Sequence, residues 1–115
     1  MSYWKGKRRF VNNKFGAIKQ TYNGFSYDSK REAQYAAELD WLKEAGDIKE
    51  WSRQHKISID INGKHICNYY VDFKVYFEDG RIEFHEVKGY ETELWKLKWK
   101  LSKAIYSDHN FILIK

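Results

Sequence analysis

Proline is missing from all 115 residues, and cysteine and methionine occur once each. With Cys67 alone, no disulfide can close within the chain and no thiolate zinc cluster can form, which fits a reducing compartment. An apolar run of about 18 residues is lacking too, and no secretory leader is read at the start. The expectation is a cytoplasmic protein without a membrane partner. The four histidines, His55, His65, His85 and His109, show no paired-ligand spacing, which argues against a histidine-based metal site.

Aromatic and charged residues are plentiful, at 18% and 32%. That composition describes a folded chain, and its length suits one domain over 1–115 with one core. The net charge of +5 is unevenly placed. Residues 1–31 carry Lys5, Lys7, Arg8, Arg9, Lys14, Lys19, Lys30 and Arg31 against Asp28 alone. A basic arm over 1–16, interleaved with Tyr3, Trp4 and Phe10, suits phosphate contacts with some base stacking. Basic ends also serve solubility, and composition does not separate the two.

The expected order of elements is a small hairpin, a helix, three strands, a helix and a strand, an α/β arrangement. Asn23-Gly24 between alternating aromatic residues marks the hairpin over 21–27. Ser29 caps a helix over about 30–45 that stops at Gly46, with Tyr35, Ala36, Leu39 and Leu42 as its apolar stripe. A polar stretch holding Trp51 and Gln54 precedes a strand in which Ile57, Ile59 and Ile61 alternate with polar residues up to the turn at Asn62-Gly63. Strands over 65–77 and 81–88, a helix over about 92–106 and a short apolar strand over 111–114 complete the chain. In the second helix Leu94, Leu97, Leu101 and Ile105 are expected to face the core, extended by Trp95, Trp99 and Tyr106. Lys96, Lys100 and Lys103 mark another face that could follow a phosphate backbone.

The chemistry concentrates in Tyr70-Val71-Asp72-Phe73 and Glu86-Val87-Lys88. A type I turn at Glu78-Asp79-Gly80 with Gly80 left-handed makes the pairing symmetric about Asp79 and sets Asp72 directly opposite Glu86. Lys88 then lies two residues on, along the same side of the pleat. Facing carboxylates repel unless something positive sits between them, and two hard oxygen ligands suit Mg²⁺ or Mn²⁺. A two-residue Asp79-Gly80 turn would instead pair Phe73 with Glu86 and send Asp72 to the other face. The apolar pattern does not choose: Val71, Phe73, Val75 and Phe77 share one face, whereas Ile82 and Phe84 share theirs with Glu86. A bulge, or a sheet covered on both sides, would reconcile them. Glu32 heads the apolar stripe of the first helix, where it is either a functional carboxylate or the return arm of a Ser29 capping box.

Asp72 followed by Glu86-Val87-Lys88 on adjacent strands flanked by helices resembles the PD-(D/E)XK nuclease superfamily, with Val71 where that family has its leading proline. Phe25 to Ala33, Ala45-Gly46-Asp47-Ile48, Gln54, Tyr70 to Phe73 and His85 to Gly89 together look like a small phage-encoded branch of it. The resemblance covers about 22–106. It implies a restriction-endonuclease-like core, with the three strands as an antiparallel meander, and a metal-dependent DNA endonuclease. A Holliday-junction resolvase or another branched-DNA nuclease is the member it suggests. Asp72 and Glu86 match the metal-binding acids, Val87 would lend its carbonyl to the metal, and Lys88 matches the catalytic lysine. Glu32 matches an additional helix carboxylate. Lys5, Lys7, Arg8, Arg9, Lys30, Lys96, Lys100 and Lys103 would contact DNA, and junction-resolving members act as homodimers. Two rival readings stay open. One is a DNA-binding protein that kept the fold without the chemistry; the other is a phage protein whose five Trp and nine Tyr serve a host partner.

Overall fold

The computed structural model describes residues 20–22, 24–27 and 29–115. The expected basic arm over 1–16, with Lys5, Lys7, Arg8 and Arg9, lies outside them. A hairpin of β1 (Gln20–Tyr22) and β2 (Phe25–Tyr27) leads into α1 (Lys30–Glu44). Then follow β3 (Glu50–Ile61), β4 (Lys64–Tyr76), β5 (Ile82–Val87), α2 (Glu93–Ile105) and β6 (Asn110–Ile114).

Local chemistry explains the boundaries. Ser29 is extended, and its hydroxyl accepts the Glu32 amide at 3.1 Å, satisfying one orphan donor of the first turn of α1. Thr92 does the same for Trp95 at the start of α2. The second helix is needed because β6 joins β5 in parallel, and a parallel connection requires a crossover. The strands run β3-β4-β5-β6, with the first three an antiparallel meander.

Each face of the sheet carries its own core. Tyr27, Tyr35, Ala36, Leu39, Phe73 and Val75 pack on the α1 side. Ile57, Ile59, Tyr69, Val71, Phe84 and Trp95 pack on the α2 side. Fully burying a side chain such as Phe73 contributes roughly 1.5–3 kcal/mol, so the two layers together dominate the stability of so short a chain.

The strands exchange faces midway. Phe73 and Val75 lie in the α1 layer, whereas Val71 and Tyr69, of the same parity along β4, lie in the α2 layer. On β3, Trp51 packs with the α1 layer, and Ile57 and Ile59 with the α2 layer. The exchange falls at Gln54, whose φ of +51° is in the left-handed region. Gln54 sits between the pairs Arg53↔Phe73 and His55↔Val71 with no ladder partner of its own, across from Asp72. Of the two devices that could reconcile the apolar pattern, the sheet covered on both sides is present; the β3–β4 pairing keeps its register through Gln54, and its register shift lies between Ile59 and Asp60.

Three expectations are corrected. The polar stretch before Ile57 is part of β3, an edge strand that begins at Glu50 and alternates exposed with half-buried residues. Leu42 on α1 is exposed, while Ala33 is buried in its stead. On α2 the buried positions are Trp95 and Ser102, with Trp99, Leu101 and Tyr106 partly covered. Leu94 is 61% exposed and Leu97 54%, and Ile105 faces outward as well. Both stripes carry large side chains at helical spacing. The sheet takes the one whose large indole ring fills the α2 layer and whose small Ser102 allows close approach.

Candidate active site

The β4–β5 turn sets the geometry of the site. Gly80 donates to the Phe77 carbonyl at 3.1 Å and Phe77 to the Arg81 carbonyl at 3.0 Å. Gly80 has φ +91°, a conformation in which a Cβ would be strained. The ladder then runs Tyr76↔Ile82, Val75↔Glu83, Lys74↔Phe84 and Phe73↔His85. This is the three-residue-turn register; the ladder ends at Phe73↔His85, and Asp72 and Glu86, next in that count, meet through side-chain hydrogen bonds instead of backbone pairing. The alternative pairing of Phe73 with Glu86 does not occur.

Asp72 is 8% exposed and Glu86 3%. The Val87 amide donates to Asp72 Oδ2 at 2.9 Å, and the Asp72 amide donates to Glu86 Oε1 at 3.2 Å. Glu86 Oε1 also accepts the Tyr69 hydroxyl at 2.7 Å. Lys88 Nζ lies 3.5 Å from Glu86 Oε2 and 5.3 Å from the centre of the Trp95 ring. Asp72, Glu86, Val87 and Lys88 are thus brought together. Glu32, 3% exposed in the first turn of α1, is near enough for its charge to act on Asp72. The Ser29 half of the capping arrangement is formed as well, so both readings of Glu32 have support.

Burial pushes the Asp72 carboxyl well above the usual range, with the charges of Glu86 and Glu32 adding to it. Burial raises Glu86 too, against the pull of the Tyr69 hydroxyl and the Lys88 ammonium. Two acids forced together away from water, with one ammonium beside them, form a site that gains from further positive charge.

That donor set fits a hard divalent ion. Oxygen ligands are on hand, and Mg²⁺ is commonly bound through one or two carboxylates with water and phosphate completing its shell. Among the described residues no group of three or more His, Cys, Asp or Glu side chains converges as a self-sufficient cage. Asp72, Glu86 and the Val87 carbonyl would hold the ion.

The cationic residues fall into two sets. Lys96, Lys100 and Lys103 are exposed along α2, with Lys96 Nζ 3.3 Å from Glu93. Trp95 stacks on Trp99 at 5.3 Å, and Lys103 Nζ lies 5.9 Å from the Trp99 ring. Lys88 and Lys103 therefore cover successive rings of one stacked pair, which links the carboxylate site to the lysine row. Lys30 is exposed at the start of α1, apart from that row.

The site residues that the sequence pattern did not single out are Tyr69 and Trp95. Tyr69 lies in the α2 layer, across the face exchange from Phe73, and nothing in the composition announces that exchange. His85, beside Glu86, points the opposite way into the α1 layer. Its Nε2 lies 2.9 Å from Glu83 Oε1 and its Nδ1 2.6 Å from the Tyr35 hydroxyl. Because a carboxylate oxygen accepts, the proton belongs on Nε2 and Nδ1 accepts from Tyr35. Ser58, Asp60 and His65 also meet at the far end of the β3–β4 ribbon, but His65 contacts both partners through Nδ1, so no proton relay runs through the ring.

A family model described as "Protein of unknown function (DUF1064)" matches residues 12–115. The chain belongs to that family. No curated protein and no solved structure matches it. Among the described residues, no helix of the DUF1064 chain is long and apolar enough to cross a membrane.

Proposed function

We propose that this chain is a metal-dependent DNA endonuclease on a restriction-endonuclease-like core. The observation that carries the reading is the buried, facing pair Asp72 and Glu86 with Lys88 Nζ 3.5 Å from Glu86. A module that only binds nucleic acid or a protein gains nothing from holding two carboxylates together away from water, at a site where their mutual repulsion is costly. The order hairpin, helix, antiparallel meander, helix, parallel strand is compatible with that core.

When bound at Asp72, Glu86 and the Val87 carbonyl, Mg²⁺ or Mn²⁺ supplies Lewis-acid polarisation of a phosphoryl oxygen and of water. The chain's own residues do the rest. The Lys88 ammonium, held over the Trp95 ring, offsets charge that builds on the phosphate. Glu32 adds a buried carboxylate whose charge acts on Asp72, the additional acid that the resemblance implies. Lys96, Lys100 and Lys103 contact backbone phosphates of a strand running from the site along α2. The resemblance to the PD-(D/E)XK superfamily implies a 3′-hydroxyl and a 5′-phosphate as products.

The test is incubation of supercoiled, branched and single-stranded DNA with Mg²⁺ or Mn²⁺. Cleavage by the wild type that disappears in Asp72→Ala is expected. Equal cleavage by both, or none by either on any of the substrates, contradicts the proposal.

A further inference from the structure

Glu86 is held by more than the opposite strand. Trp95 Nε1 donates to the Tyr69 oxygen at 3.2 Å, and the Tyr69 hydroxyl donates to Glu86 Oε1 at 2.7 Å. The direction of this chain is fixed by chemistry. An indole N–H can only donate, so Tyr69 accepts from Trp95 and its own proton is committed to the carboxylate. Tyr69 is 4% exposed and Trp95 8%, so water does not compete for either bond.

The consequence lies in which oxygens remain. Glu86 Oε1 is occupied by the Tyr69 hydroxyl and the Asp72 amide, and Oε2 is turned toward Lys88. On Asp72, Oδ2 takes the Val87 amide and leaves Oδ1. A carboxylate with one oxygen pinned by a rigid phenol has lost most of its rotational freedom about its last torsion. Such outer partners govern how well a ligand is presented to a cation.

We propose that Tyr69, oriented by Trp95 from α2, is the positioning residue of this site: it pins Glu86 Oε1 so that Oε2 is the oxygen presented to the divalent cation. This inference rests on the metal-site reading above. It also gives α2 a second role, because the helix that carries the lysine row sets the aim of Glu86 through Trp95.

The experiment measures Mn²⁺ binding to the metal-free full chain, without DNA, from the electron paramagnetic resonance signal of free Mn²⁺. Tyr69→Phe keeps the ring and removes the hydroxyl, and Trp95→Phe attacks the same chain from its other end. Tyr106→Phe serves as the control, since Tyr106 packs in the same layer but its hydroxyl donates to the Ser58 carbonyl, outside this hydrogen-bonded chain. Tyr69→Phe is expected to weaken binding by about 10-fold or more, the scale set by outer partners of metal ligands, and Trp95→Phe to weaken it in the same direction by less. Tyr106→Phe, whatever it does to melting temperature, should leave affinity unchanged. If Glu86→Gln abolishes binding while Tyr69→Phe binds as tightly as the wild type, the positioning role is overturned and the metal site stands. If Glu86→Gln binds Mn²⁺ like the wild type, the metal-site reading itself falls, and the role of Tyr69 with it.

Discussion

Asp72 and Glu86 fasten each other's strands: the Asp72 amide donates to Glu86 Oε1 at 3.2 Å, and the Val87 amide, one residue beyond Glu86, donates to Asp72 Oδ2 at 2.9 Å. Each carboxylate is at once a candidate ligand and a clamp on the β4–β5 register. The site and the hairpin are therefore one mechanical unit, and substitutions in either should be felt in the other.

The first expectation concerns pH. Both carboxyls are raised by burial, so above about pH 4 the unfolded chain has released protons that the folded chain still holds. Their contribution to stability is complete below the ordinary carboxylate range and is lost as pH climbs through the raised values. Denaturant unfolding in EDTA should show stability falling with pH, by up to about 1.4 kcal/mol per pH unit for each group. The double variant Asp72→Asn, Glu86→Gln should be flatter. A slope just as steep in the double variant refutes this account of the pair.

Gly80 controls the register through its φ of +91°. Gly80→Val should cost about 1–2 kcal/mol, measured by unfolding, and should weaken Mn²⁺ binding although residue 80 is outside the site. Unchanged affinity at reduced stability would separate the turn from the ligands.

Two apolar substitutions should differ sharply. Phe73 is fully buried against Tyr27, Tyr35 and Trp51, so Phe73→Ala should cost about 3–5 kcal/mol. Leu97 is exposed, and Leu97→Gln should stay within about 0.5 kcal/mol of the wild type. A large destabilisation at Leu97 would mean that the leucine stripe is a core face after all.

Ser102 is completely buried on α2, and its hydroxyl has no hydrogen-bond partner among the described residues. Alanine removes that cost and is the better helix former. Ser102→Ala should therefore raise the melting temperature, and a lower one would show that the hydroxyl is satisfied.

Much of this architecture is legible in the chain. Glu78-Asp79-Gly80 has the composition of a turn with a left-handed third residue, and the register of Asp72 against Glu86 follows from it by counting. Gly24, Ser29, Gly46 and Thr92 mark their boundaries by equally local chemistry. The misreadings have tertiary causes. Glutamine at a left-handed φ has no signature, so the face exchange at Gln54 and the arrival of Tyr69 beside Glu86 could not be read from pattern. Leu94, Leu97, Leu101 and Ile105 form as good a helical stripe as Trp95, Trp99, Ser102 and Tyr106, and only the shape of the sheet surface chooses between them. The residues before Ile57 look like a loop because an edge strand with one open side is free to be polar.

The lysine row offers a check independent of the carboxylates. Neutralising Lys96, Lys100 and Lys103 together should weaken DNA binding across sequences. It should also reduce the slope of log affinity against log salt by about 0.9 for each duplex phosphate that these ammonium groups neutralise. An unaltered slope would remove α2 from the interface.

The central claim is that Asp72 and Glu86 grip one divalent cation between β4 and β5. Anomalous diffraction from crystals soaked in Mn²⁺ tests it directly. The account predicts a peak within bonding distance of an oxygen from each carboxylate, with Glu86 contributing Oε2. Saturating Mn²⁺ with no anomalous density between these two side chains would contradict it.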